Sequence, residues 1–207
     1  MDPIITIFSL VILLFSVIIH ELAHGYIAYS LGDPTAKYAG RLTLNPIKHL
    51  DPFGSVILPL ILFISGSPIL FGWAKPVPVN PYNFKDQKWG SLKVAIAGPI
   101  TNIALAIFFG LLIRFIPSSF FISFPGMFLM FSYIVTINLV LAIFNLIPIP
   151  PLDGFWILFK FIPQKFEKLT IFLHQYGIFI LIFLIFFGAL QNLIFINNLF
   201  FSLITGI

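Results

Sequence analysis

There is no cysteine among the 207 residues. Disulfides are therefore excluded and thiolate ligands are unavailable, so any metal site must use histidine and carboxylate. Charge is scarce as well: 9% of residues are charged, eleven basic and seven acidic. The net charge of +4 forms no nucleic-acid footprint, because the basic residues are scattered between apolar runs. Met1-Asp2-Pro3 lacks the basic n-region of a signal peptide, and this segment is expected to be kept. Internal repeats and low-complexity linkers are also missing. What fills the chain is apolar: 59% of it is hydrophobic, with 27 phenylalanines and a mean hydropathy of +1.08. A soluble domain of this size cannot hide so much apolar surface. The sequence thus predicts one membrane-embedded domain whose partner is the lipid bilayer and not nucleic acid.

Punctuation by Gly and Pro divides the apolar runs. A first span is expected from about residue 4 to 31, stopped by Gly32-Asp33-Pro34-Thr35. The partly alternating stretch Ala36 to Asn45 reads as a strand or extended hairpin. Residues 54–71 carry Pro59, Gly66 and Pro68 and read as a short span or a re-entrant segment. The proline-rich stretch Gly72 to Pro81 reads as extended loop. Further spans are expected over residues 92–116, 128–147 and 169–188, and residues 190–207 span or lie at the interface. The fold class is an all-α polytopic membrane protein of about five to six membrane segments. It would carry a short extended or β element and a re-entrant segment near the active site. Lys37, Arg41, Lys48, Lys75, Lys85, Lys88, Lys93, Lys160, Lys165 and Lys168 are expected in the cytoplasm by the positive-inside rule. The N-terminus is then extracytoplasmic, and His24 and Asp153 lie toward the cytoplasmic side.

The run His20-Glu21-Leu22-Ala23-His24 closes the apolar stretch Ile4 to Ile19. Two histidines four apart share one helix face and can bind one metal ion. Glu21 stands beside the pair, placed to act as general base on a metal-bound water. Helix rise puts the histidines roughly 10–15 Å below the cytoplasmic helix end. A catalytic zinc needs three protein ligands and one open position. Asp153, Asp51, Asp33, Asp86, His49, His174 and Glu167 are the candidates for the third. Asp153 leads, because it follows a proline-broken membrane segment on the same side as His24, where an ionisable group is costly and usually functional. Its bland alternative is a turn or cap aspartate before Gly154. His49 and Asp51 read as a loop pair near the headgroups, and His174 as facing a neighbouring helix or the interface.

Three blocks now resemble the site-2 protease family of intramembrane zinc metalloproteases. They are the His20–His24 motif, Ala97-Gly98-Pro99 with Asn102, and Asn145-Leu146-Ile147-Pro148 followed by Leu152-Asp153-Gly154. The resemblance covers about residues 4–154, which would be the catalytic core, with C-terminal membrane segments over about 155–207. It implies one zinc held by His20, His24 and Asp153, water activation by Glu21, and a substrate-binding role for Asn145. It further implies hydrolysis of peptide bonds in or near transmembrane segments of membrane protein substrates. The stretches Gly-Asp-Pro-Thr, Arg-Leu-Thr-Leu-Asn-Pro and Gly-Trp-Ala-Lys-Pro-Val-Pro resemble a bacterial-type branch. With no PDZ-like or nucleotide-sensing module in view, regulation would come from a membrane partner, lipid or substrate preprocessing. Two rival classes stand beside this one: a metal or proton transporter, since buried His and carboxylate also serve ion paths, and a non-catalytic homologue that binds membrane proteins.

Overall fold

The first 28-residue helix, α1 (Pro3–Ser30), forms because an unbroken apolar run can satisfy its backbone in lipid only by internal hydrogen bonds. In the computed structural model, which describes residues 3–65, 72–163, 166–188 and 191–207, α1 ends in a double-bonded C-cap. The Gly32 N–H donates to the Tyr29 carbonyl and the Asp33 N–H to the Ala28 carbonyl, both at 3.0 Å. Gly32 sits at φ +106°, a conformation that costs glycine little and other residues much.

The helices that follow are α2 (Thr35–Tyr38), α3 (Leu58–Ile64), α4 (Gly90–Phe115), α5 (Ser118–Ser123), α6 (Pro125–Asn145), α7 (Asp153–Phe159), α8 (Glu167–Phe186) and α9 (Gln191–Thr205). Among the described residues, four helical stretches are long and apolar enough to cross a bilayer: Ile4–Ser30, Gly90–Phe115, Pro125–Asn145 and Glu167–Ile185. The all-α expectation therefore holds, with four membrane-length helices where about five to six segments were expected. The apolar helices Pro52–Leu62 and Asn192–Thr205 fall short of that length. A re-entrant turn through 54–71 involves residues 66–71, which lie outside the described residues.

The expected strand over Ala36 to Asn45 is corrected: no strand occurs among the described residues. Asp33 starts a local turn instead, accepting from the Thr35 N–H at 3.1 Å and its hydroxyl at 2.5 Å. A single helical turn follows and closes at Gly40 (φ +64°), with the Arg41 N–H on the Ala36 carbonyl at 3.0 Å. Asn45 then caps a short turn over Pro46–Lys48, accepting from the Ile47 N–H. Local partners take up much of this backbone, and no strand ladder forms among the described residues.

Asp33 also ties this corner to the segment beyond α3. Buried completely, it accepts from the Asn80 N–H at 2.7 Å and the Asn83 Nδ2 at 2.8 Å. Burial alone would raise its pKa, but these donors and those of Thr35 hold the carboxyl below its ordinary value. A depressed carboxylate contributes stability that is present above the ordinary Asp range, about 3.9, and lost as pH falls through the folded value. Asp33→Asn puts an NH2 among donors and is expected to cost about 1–3 kcal/mol at neutral pH. Thermal unfolding in detergent between neutral and acid pH checks both points: the gap between wild type and variant shrinks on acidification.

Helices α1, α4 and α6 form the centre, with α4 packed against both neighbours and α9 closing on α4 and α6. An apolar cluster of Ala106, Ile113, Phe131, Val135 and Leu139 fills the α4–α6 contact, with Phe201 and Ile204 of α9 against it. The outward faces are apolar too: Ile7, Leu10, Phe108, Phe179 and Phe183 are exposed. Ser16, His20, His24, Asn102 and Asn138 are buried. Polar inside and apolar outside suits a lipid-facing bundle.

Candidate metal centre

His20 and His24 lie one turn apart on α1 and face α4, 5% and 8% exposed. The approach of α4 depends on Gly98: a Cβ there would lie 2.5 Å from His20 Cε1 and Nε2 and from His24 Nε2. Pro99 follows inside the helix, where its ring and missing N–H loosen the adjoining turn. The Ala-Gly-Pro block thus acquires a physical reason, a helix thinned where it meets the imidazoles.

The third residue arrives from the loop after α6. α7 begins at Asp153, and Gly154 lets it start hard against the Leu146 and Ile147 carbonyls, where a Cβ would clash with backbone. Asp153 Oδ2 then lies 3.1 Å from His20 Nε2 and 3.3 Å from His24 Nε2. The two Nε2 atoms are 3.0 Å apart. This trio is the one group of three metal-ligating side chains among the described residues.

The protons of the site follow from its outer partners. His20 Nδ1 faces Asn102 Oδ1 at 2.5 Å, and His24 Nδ1 faces the Val94 carbonyl at 2.7 Å. Both partners only accept, so each Nδ1 donates and each neutral ring turns a bare Nε2 inward. The orientation of Asn102 is itself set. Its Nδ2 donates to Asn138 Oδ1 at 2.7 Å, while Asn138 Nδ2 donates to the Ile134 carbonyl at 2.9 Å and Ser16 Oγ at 3.0 Å. An obligate acceptor, the Ile134 carbonyl, therefore fixes the amides and, through them, the His20 tautomer.

Asp153 Oδ2 is a buried atom with no hydrogen-bond partner among the described residues. Three lone pairs thus converge without a proton to share. One shared proton would bridge only one of these contacts well, whereas a cation at their centre satisfies all three. The donor set fits zinc: two imidazoles and a carboxylate, with imidazole N–H groups held by neighbouring acceptors.

Glu21 follows His20 on α1, its Oε2 accepting from the Val77 N–H at 2.7 Å. Asn145 is the last residue of α6, its Nδ2 on the Leu141 carbonyl at 2.9 Å, and it does not join the trio. The other ligand candidates stand apart. His49 is buried with Nε2 on the Thr43 carbonyl, Asp51 accepts from the Gly54 N–H, and Asp86 pairs with Lys93. His174 packs on Phe155 and Trp156, and Glu167 opens α8. Sequence reading missed Ser16, Asn138 and Val77. Ser16 and Asn138 did leave a signal, as isolated polar residues within membrane-length apolar runs.

Comparison with known proteins shows the family of the chain. The model of Peptidase family M50 matches residues 121–188, the stretch that holds Asp153. "Putative zinc metalloprotease YwhC" of Bacillus subtilis (strain 168) is 43% identical over 161 residues, 75% of this chain and 69% of that protein. Rip2 of Mycolicibacterium smegmatis, under the same description, is 29% identical over 180 residues, 86% of this chain and 66% of its own length. MJ0611 of Methanocaldococcus jannaschii, also so described, is 41% identical over 93 residues, 42% of this chain and 44% of its own length. No solved structure gives a significant match. Motifs, helices and relatives converge, and the chain belongs to the M50 peptidases, the site-2 protease family.

Proposed function

We propose that this chain is an intramembrane zinc endopeptidase that hydrolyses peptide bonds in or near transmembrane segments of other membrane proteins. The observation that carries this reading is the convergence of His20, His24 and Asp153 lone pairs beside Glu21, on a helix of membrane length. His20, His24 and Asp153 hold the ion, one zinc per chain. When bound, zinc polarises the scissile carbonyl and makes water easier to deprotonate. Glu21 takes the proton from the attacking water and delivers it to the leaving amine. Buried walls around the histidines keep bulk water low, which strengthens each charge interaction. Asn145, at the end of α6 before the Asp153 loop, contacts the substrate backbone.

The whole chain works as one membrane-embedded domain, with its catalytic part over about residues 4–154 and its remaining membrane segments after it. Charge placement supports an extracytoplasmic N-terminus and a site toward the cytoplasmic side. The test is cleavage of a panel of single-span membrane proteins in liposomes by the purified chain. Cleavage that stops with a zinc chelator and returns on adding zinc is the expected result. Metal-dependent ion flux without any cut product would overturn the reading in favour of a transporter.

A further inference from the structure

The proline-rich segment after α3 has a role in this site. Residues Gly72 to Asn80 form neither helix nor strand and are pinned by four backbone donors, the first being the Trp73 N–H on the Gly54 carbonyl at 3.1 Å. The Lys75 N–H donates to the His49 carbonyl at 2.8 Å, the Val77 N–H to Glu21 Oε2 at 2.7 Å, and the Asn80 N–H to Asp33 Oδ2 at 2.7 Å. Pro76 and Pro78 have no N–H and favour extended backbone, so Lys75 and Val77 carry the only backbone N–H donors between residues 75 and 78. Of the two, Lys75 bonds the His49 carbonyl and Val77 bonds Glu21. Gly25, one turn along α1 from Glu21, lets the segment come close: a Cβ there would lie 3.0 Å from Val77 Cγ1 and 2.6 Å from Leu42 Cδ2.

A free glutamate side chain samples many rotamers, and ordering it costs entropy. Here one carboxylate oxygen is committed to a backbone donor that is anchored on both flanks. The geometry points to Val77 as a positioning residue, whose backbone N–H holds Glu21 in its working rotamer and leaves the other oxygen to move the proton. This role rests on the reading of Glu21 as the base. It gives the Gly-Asp-Pro-Thr and Lys-Pro-Val-Pro stretches one shared purpose: Asp33 anchors the strap and Val77 delivers its donor.

Val77→Pro removes that single N–H within a stretch already suited to proline. On whichever panel protein the wild type cuts, kcat is expected to fall about 10- to 100-fold, the scale of a misplaced catalytic group, with KM and zinc per chain retained. Val77→Thr, which restores the N–H, recovers most of that loss. Gly25→Ala, favourable for the helix itself, sets a Cβ 3.0 Å from Val77 Cγ1, which shifts the strap slightly and is expected to lower kcat with zinc retained. It decides the matter if Val77→Pro fails to fold. Wild-type or raised kcat in Val77→Pro or Gly25→Ala overturns the positioning role. Cleavage retained by Glu21→Gln overturns instead the reading of Glu21 as base, so the two failures are separate.

Discussion

Glu21→Gln is expected to reduce cleavage about 100- to 10,000-fold, the usual contribution of a general base, while zinc per chain stays at the wild-type level. Glutamine keeps the length of the side chain and an oxygen that can accept from the Val77 N–H. What it loses is the capacity to take a proton. None of the three converging donor atoms belongs to Glu21, so the metal has no reason to leave. Turnover of a membrane substrate alongside metal analysis of the same preparation checks the result. A variant with wild-type turnover would mean that Glu21 is not the base.

The second large effect is expected at a residue that holds a ligand and does not itself reach the metal position. Asn102→Leu removes the acceptor of His20 Nδ1 and the donor to Asn138 Oδ1. Both groups sit in the interior of the bundle, where Asn102 and Asn138 are fully buried. Each group left unpaired costs about 1–3 kcal/mol, and His20 is freed to adopt the other tautomer, which turns a proton toward the site. Zinc affinity is expected to weaken about 10- to 100-fold, the usual effect of losing a ligand's outer partner. Competition against a chelator of known affinity measures it. Unchanged affinity would show that the tautomer is set by something other than the amide chain.

The local parts of this account were legible in the sequence because they depend on short-range geometry. A four-residue spacing fixes two imidazoles on one helix face, and apolar length fixes a membrane helix. Asp153 was readable through its proline-broken setting and through the resemblance to site-2 proteases. The strand expected over Ala36 to Asn45 failed for a local reason as well. The Asp33 turn and the Gly40 and Asn45 punctuation outweigh the apolar–polar alternation there. Other features were out of reach because they join distant residues. The amide chain links Ser16, Asn102 and Asn138 from three helices. The Val77 strap joins Glu21 to a residue 56 positions away. Isolated polar residues in apolar runs marked the first, but nothing in one sequence says which of them touch.

The central claim is that His20, His24 and Asp153 hold one zinc. Zinc per chain, measured after metal-replete purification, tests it most directly when wild type is set beside His20→Ala, His24→Ala and Asp153→Ala. The account predicts one zinc in the wild type and a marked loss in each variant, while all four remain folded in detergent. A wild type without zinc, or variants that retain it in full, would contradict the claim.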